Sequence, residues 1–253
     1  MTGATKTYFV SGGNRGIGLH FVQKLSVRPN VQVITTARSP ENSPDLQAWI
    51  KEHSNVHVIK YDAAVREDAV EVAKQVEKLN DGIDVFIANA AIAENPQSVL
   101  DTPDDLWLRH YSINVLGPIY LFRALHSFMT KRDTRQVVFL STIAASIGAF
   151  PGLSISAYGQ SKAALNYTVK ELSVELANEG FTLISLHPGA VSTDMGNDVV
   201  NKFAAKSPEI GEYMRGISIT PEVSVTGQLK LIDNLSKEQT GKFYSYTGEE
   251  LVW

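Results

Sequence analysis

The chain has 253 residues, 23 Lys and Arg against 27 Asp and Glu, a formal net charge of -4, and no cysteine. With 43% hydrophobic and 20% charged residues, this is globular composition, which argues against a collagenous, low-complexity or disordered chain. Without cysteine there is no disulfide, thiolate zinc site, iron–sulfur cluster or cysteine nucleophile. A reducing, cytoplasmic setting agrees with that lack. The acidic balance offers no global field for nucleic acid or an anionic membrane. No apolar run reaches ~18 residues, so no membrane-spanning helix is expected. The opening MTGATKTYFVSGG lacks the basic and long apolar regions of a signal peptide.

The first strand is expected at Thr7–Val10, followed by a glycine-rich turn, Ser11–Gly18, and a helix over 16–27. Further strands are expected at Val31–Thr35, Val56–Ile59, Val85–Ala88, Val137–Leu140 and Leu183–Leu186, all short and rich in β-branched or aromatic residues. Between them, helices are expected over 43–54, 65–80, 103–130 and 156–178, with another over 222–235. Leu46, Trp49 and Ile50 have the spacing of a one-sided helix, as do Val70, Val76 and Leu79, with Val72 less well placed. Asp194–Thr220, containing Pro208, Gly211 and Gly216, reads as a helical excursion over the sheet, and Lys242–Tyr246 as a last strand. Alternating strands and helices imply right-handed βαβ units. The expected fold is α/β: a single doubly wound parallel sheet of about seven strands, a Rossmann fold with helices on both faces. No linker or repeat divides residues 1–253, so one domain is expected, with its substrate loop at about 194–220.

The turn after strand one carries Gly12, Gly16 and Gly18 at the entry to a helix. A pyrophosphate meets backbone N–H groups at a helix N-terminus only where side chains are absent, so this turn points to a dinucleotide. Enzymes that use NAD usually place an acid at the end of strand two, where it bonds the ribose 2′-hydroxyl. This chain has Thr36-Ala37-Arg38-Ser39 there. The guanidinium of Arg38 suits a 2′-phosphate in charge and shape, and Arg15 can add a second positive charge. The expected cofactor is therefore NADPH/NADP+.

Tyr158 and Lys162 lie four apart on a predicted helix and share one face. A phenol has an ordinary pKa of about 10, and a neighbouring ammonium lowers it. Such a tyrosine can give a proton to a carbonyl oxygen or take one from an alcohol. Other constellations carry less. His53 and His57 do not share helical geometry, and no metal site is expected. Gly159–Ala163 lacks the second glycine of a nucleophile elbow. Asn166-Tyr-Thr and Asn234-Leu-Ser match the glycosylation pattern by chance.

Together, the Ser11–Gly18 turn, Ala88-Asn89-Ala90-Ala91, Asn114, Ser141-Thr142, Tyr158/Lys162 and Pro188–Thr193 resemble the short-chain dehydrogenase/reductase family over nearly the whole length. Within it the chain is similar to sniffer-type carbonyl reductases. Ile87–Ala91, Tyr158–Asn166, Thr193–Gly196 and the ending Leu251-Val252-Trp253 also make it similar to fungal ketoreductases resembling the norsolorinic acid enzyme.

The resemblance implies that Tyr158 donates the proton, that Lys162 lowers its pKa and holds the ribose, and that Asn114 anchors a water relay. A hydroxyl after strand five orients the substrate carbonyl: Thr142 is expected, Ser141 the alternative. The implied cofactor contacts are Gly12, Asn14, Arg15, Gly16, Ile17 and Gly18 in the turn, then Arg38, Asp62, Asn89 and Ala90. Tyr158, Lys162, Pro188, Gly189, Val191 and Thr193 complete them. Ala91 replaces a family glycine, so its backbone should avoid positive φ.

The expected reaction is NADPH-dependent reduction of a ketone or aldehyde, of apolar or aromatic character, by a small-molecule carbonyl reductase. Phe150, Leu153, Met195, Phe203, Tyr213 and Met214 are candidate pocket residues, and His187 a candidate neighbour of the cofactor. Two alternatives stay open: a non-catalytic NADP(H)-sensing protein, and an NAD-dependent alcohol dehydrogenase. The helix over Tyr111–Thr130 and the Tyr158 helix resemble faces that pair in family dimers and tetramers. Homodimer, homotetramer and monomer all stay open.

Overall fold

The computed structural model describes residues 5–79 and 82–253. Its centre is one eight-stranded sheet in the order β3-β2-β1-β4-β5-β6-β7-β8. The strands are β1 (Lys6–Val10), β2 (Val31–Ala37), β3 (Val56–Lys60), β4 (Val85–Ala88), β5 (Gln136–Leu140), β6 (Thr182–His187), β7 (Lys242–Ser245) and β8 (Glu250–Leu251). All neighbours pair in parallel except β7 with β8. The seven expected strands are present, and β8 adds a short antiparallel edge that two residues could not announce in sequence.

Alternate residues of each strand feed two cores, as the period of a pleated strand requires. Phe9, Phe86, Phe139 and Leu183 face one side, and Tyr8, Val10, Ile87, Val138 and Leu186 the other. On the first face Phe9 meets Phe86 edge-on at 5.7 Å, and Phe86 meets Phe139 at 6.3 Å. That face is covered by α3 (Arg66–Leu79), α5 (Gly117–Met129) and α6 (Ser156–Glu175). The second face is covered by α1 (Gly16–Ser26), α2 (Pro44–Glu52) and α9 (Pro221–Asp233).

Two helical expectations are revised, and the helical excursion after β6 is present. In α3 the buried positions are Ala69, Val72 and Val76, while Val70 and Leu79 face outward; Val72 is central to the stripe. The end of the predicted helix at Asn80 lies outside the described residues. The long helix expected over 103–130 divides into α4 (Asp104–Tyr111), a π-helical turn at Ser112–Leu116, and α5. The π turn carries the buried Asn114, and such widenings recur at functional sites. The excursion after β6 forms α7 (Asp194–Lys206) and α8 (Pro208–Gly216).

The sheet reverses its winding between β1 and β4, and the chain leaves these two strands in opposite directions. At that seam a Cβ on Gly18 would lie 2.0 Å from the Gly12 carbonyl oxygen and 2.6 Å from Asn89 Nδ2. No side chain fits there. Gly18→Ala is expected to destabilise the protein by about 1–3 kcal/mol through overpacking. A lowered urea midpoint with an unchanged m-value would show this.

Candidate active site

A cleft of about 590 Å³ opens over the carboxyl ends of the central strands. One wall is the turn after β1. Gly12 and Gly16 have φ of +72° and +54°, which a side chain rarely tolerates. Gly13, which sequence reasoning passed over, is also confined: a Cβ there would lie 2.0 Å from Thr35 Oγ1. Only the spatial neighbour reveals that constraint. The turn is stapled to β4. Asn89 Nδ2 donates to the Ser11 and Gly12 carbonyls at 2.8 and 3.0 Å. Ser11 Oγ accepts from the backbone N–H groups of Asn89 and Ala90 at 3.0 Å each.

This wall can receive an anion. Arg15 at the N-cap of α1 is extended and makes no side-chain cap, and the first turn of α1 holds no acid. The positive end of the helix is thus unneutralised, with backbone donors facing the cleft. Asn14, Arg15, Gly16, Ile17 and Gly18 all line it. Arg15 is held only loosely by Asp194, at 3.8 Å. Arg38 is exposed at the end of β2 and lines the cleft with Ser39, Asn42 and Ser43. Asp62 and Ala90 line it too. Asp62 Oδ1 accepts from Ala64 N–H, which fixes the corner after β3. Ala91 takes no positive φ, as its side chain requires.

The opposite wall carries the acid–base groups. Tyr158 and Lys162 project from α6 into the cleft, together with Ser141 from the end of β5. Burial pushes the Tyr158 phenol up to about 12, and a hydrogen bond with the Thr142 side chain pulls it the other way. Lys162 is 3% exposed, its Nζ donates to the Leu140 carbonyl at 2.7 Å, and burial lowers it to about 7. Its ammonium is turned to a backbone carbonyl, and Tyr158 responds to burial and Thr142. The phenol carries its proton at neutral pH, as an ordinary tyrosine does, and burial makes it a weaker acid.

The two hydroxyl candidates separate. Thr142 Oγ1 accepts from Ala144 N–H at 3.2 Å, capping a short 3₁₀ turn at Ile143–Ala145, and reaches the phenol. Ser141 Oγ is buried without a side-chain or backbone partner. Asn114 lies behind the wall. Its Oδ1 accepts from Ile92 N–H at 2.9 Å, and its Nδ2 donates to the Ile92 carbonyl and to Ser161 Oγ. Ser161 Oγ in turn donates to the Tyr158 carbonyl at 2.7 Å. Asn114 ties the loop after β4 to the tyrosine helix, with both Nδ2 hydrogens engaged and one lone pair of Oδ1 left to accept.

After β6, Pro188 and Thr193 line the cleft, whereas Gly189 and Val191 do not. Gly189 has φ +88°, and a Cβ there would lie 2.7 Å from Ile219 Cδ1. Val191 is buried and bridges to Ile219. Both serve the packing of the segment. Thr193 Oγ1 caps α7 by accepting from Gly196 N–H at 3.1 Å. His187 is pushed down to about 4 by burial and is not on the wall.

Of the expected apolar pocket, only Met195 lines the cleft. Phe203 packs inward, while Phe150 and Tyr213 are 65% and 67% exposed. Ile92, Ile113 and Leu140, missed in sequence, supply the apolar lining. Asn166 is buried within α6, which removes it as a glycosylation site. His53 stacks on Trp49 at 4.0 Å. His110, also missed, is buried. With its Nδ1 proton on the Leu106 carbonyl, Nε2 accepts from Glu94 N–H at 3.1 Å and fixes the loop after β4. Among the described residues, no helix is long and apolar enough to cross a membrane.

Fold and site together define a nicotinamide-dependent oxidoreductase: the chain belongs to the short chain dehydrogenase family, which residues 6–203 match. It is 48% identical over 248 residues to an uncharacterised oxidoreductase of Schizosaccharomyces pombe, covering 98% of each chain. Among solved structures, it is similar to the NADPH-bound carbonyl reductase from chicken fatty liver. The TM-score is 0.87 with 27% identity, covering 99% of this chain and all of that one. It is also similar to the carbonyl reductase Sniffer of Drosophila melanogaster, with a TM-score of 0.86, 27% identity and coverage of 98% and 100%.

The buried lysine generates a stability prediction. Folded Lys162 has a pKa of about 7, against 10.5 ordinarily. Between these values the unfolded chain binds more protons, so this group makes stability rise with pH across that window. Below pH 7 its desolvation cost is present in full. Lys162→Met removes the group, so its melting temperature without cofactor should exceed the wild type's most at pH 6.5. The excess should shrink toward pH 10, as followed by thermal unfolding across pH.

Proposed function

We propose that the chain reduces ketones or aldehydes of apolar or aromatic character to alcohols, using NADPH. The observation that carries this reading is the Tyr158 phenol, buried and bonded to the Thr142 side chain, on a cleft whose other end presents Arg38. Arg38 follows β2 and Ser141 follows β5, three strand spacings away, or roughly 14 Å at ~4.8 Å each. A cleft of that span suits a dinucleotide laid across the seam. The NADPH of the chicken carbonyl reductase supports the same reading.

In this reading, the N–H groups at the start of α1 hold the pyrophosphate, and Arg38 with Ser39 and Asn42 holds the 2′-phosphate. Asp62 borders the adenine. When bound, the nicotinamide supplies the hydride. The Thr142 hydroxyl orients the carbonyl oxygen, and Tyr158 gives it the phenolic proton as negative charge develops there. Lys162, one helical turn away, returns a proton to the phenolate; with its pKa near 7 it can lose and regain a proton at neutral pH. Asn114 and Ser161 hold the helix carrying both groups. Ile92, Ile113, Leu140 and Met195 favour an apolar substrate. Residues 1–253 act as one NADP(H)-binding domain, and the loop at 146–156 and the helical segment at 194–220, α7 and α8 in place of the expected loop, set specificity.

A panel of aryl and aliphatic carbonyls with NADPH and NADH tests this. The wild type should oxidise NADPH in preference to NADH. Tyr158→Phe should lower kcat about 10²–10⁴-fold with NADPH affinity retained. Arg38→Asp should reverse the cofactor ratio. Near-normal turnover in Tyr158→Phe contradicts the mechanism, and an unchanged ratio in Arg38→Asp contradicts the cofactor assignment.

A further inference from the structure

The loop between Thr142 and Tyr158 joins the two side chains that face the reacting carbonyl in the proposed reaction. Residues 147–154 lie in neither a helix nor a strand, and Ile147 and Phe150 stand out from them, 83% and 65% exposed. Within the loop, Ser146 Oγ accepts from Ala149 N–H at 2.9 Å. Among the described residues, one hydrogen bond joins 147–154 to another part of the chain: Gly148 N–H donates to the Trp253 carbonyl at 2.8 Å. The neighbouring Ser156 is held separately, by the Gln97 carbonyl.

The segment that provides this carbonyl is itself well fixed. β8 pairs with β7, with Leu251 opposite Phe243. The Trp253 ring then stacks on Phe243 at 5.5 Å and 21°, and packs against the core of the first face. Val252 fits against the loop so closely that a Cβ on Gly148 would lie 2.7 Å from Val252 Cγ1. The loop therefore rests on a support anchored in the sheet, and the contact depends on the absence of a side chain at Gly148.

We propose that Leu251–Trp253 is a brace that sets the position of the 146–153 loop, and that Trp253 is a positioning residue for bulky substrates. The physical reason is entropy. A loop with one tether loses its preferred placement when the tether goes, and ordering it again on binding costs affinity for a substrate that must touch it. A small carbonyl that reaches only Thr142 and Tyr158 does not touch it. The substrate part of this inference rests on the reductase reading above; the brace does not.

Three variants decide it: Trp253→Ala, Gly148→Ala, and Gly148→Ala with Val252→Ala. In the double variant, the added methyl no longer meets Val252 Cγ1, since Val252 Cβ is 3.8 Å away. Amide hydrogen exchange is read for 146–153 and for β5 and β6, without any substrate. NADPH affinity and the KM and kcat for an aryl ketone and a short aliphatic ketone are read alongside.

Trp253→Ala and Gly148→Ala should speed exchange at 146–153 about tenfold, with β5 and β6 unchanged and NADPH affinity within about twofold. KM for the aryl ketone should rise about fivefold or more, with kcat and the aliphatic ketone little changed, and the double variant should recover. Unchanged loop exchange, or exchange that rises equally through the sheet, overturns the brace. Faster loop exchange with an unmoved aryl-ketone KM overturns the role in substrate binding. If the wild type reduces no carbonyl, the reductase reading and the substrate role fall together, and the exchange measurement still decides the brace.

Discussion

The close approach of two backbones at the β1–β4 seam is the constraint on which the site depends. The turn after β1 must lie against the end of β4 without any intervening side chain, and Gly18 and Gly12 make that contact. Asn89 then closes it with two hydrogen bonds to turn carbonyls. With the seam closed, α1 points its uncapped N-terminus into the cleft. The parallel order on either side brings Arg38 to one end and the tyrosine helix to the other. A looser seam would move the anion-binding wall relative to the proton-donating wall, and the reaction needs both in one register.

The two walls treat charge in opposite ways. The glycine-turn side keeps its positive groups wet: Arg15 and Arg38 are exposed and screened by water. The catalytic side buries its cation. Lys162 is held out of water, bonded to the Leu140 carbonyl, and burial lowers it to about 7. Tyr158 is shifted the other way by the same burial. The pair therefore stands with a reluctant acid beside a cation near its neutral point. Such opposed shifts cluster at functional sites, where stability is sacrificed for chemistry.

Much of this was legible in sequence because it is local. The strands show as short β-branched runs, the glycine turn as spacing, and Tyr158 and Lys162 as one helical turn. Arg38 was found because a strand end has a definite place in a doubly wound sheet. What escaped depends on contacts between distant segments. Gly13 is confined by Thr35, and Asn114 is bonded to Ile92 and Ser161. Val191 and Gly189 turn out to pack against Ile219. Spacing along a helix likewise does not reveal that Lys162 Nζ bonds the Leu140 carbonyl. The π turn at Ser112–Leu116 has no signature in hydrophobic period, and the aromatics expected to line a pocket from the segments flanking the site proved to be exposed or packed inward.

The central claim is that the cleft passes a hydride to a carbonyl carbon while the protein supplies the proton. NADPH deuterated at the transferring position of the nicotinamide tests it most directly, with an aryl ketone as acceptor and the product read by mass spectrometry and NMR. The account predicts one deuterium on the carbinol carbon per NADPH oxidised, with the hydroxyl proton drawn from solvent. NADPH oxidation without deuterium at that carbon, or binding of NADPH with no oxidation across a broad carbonyl panel, would contradict it.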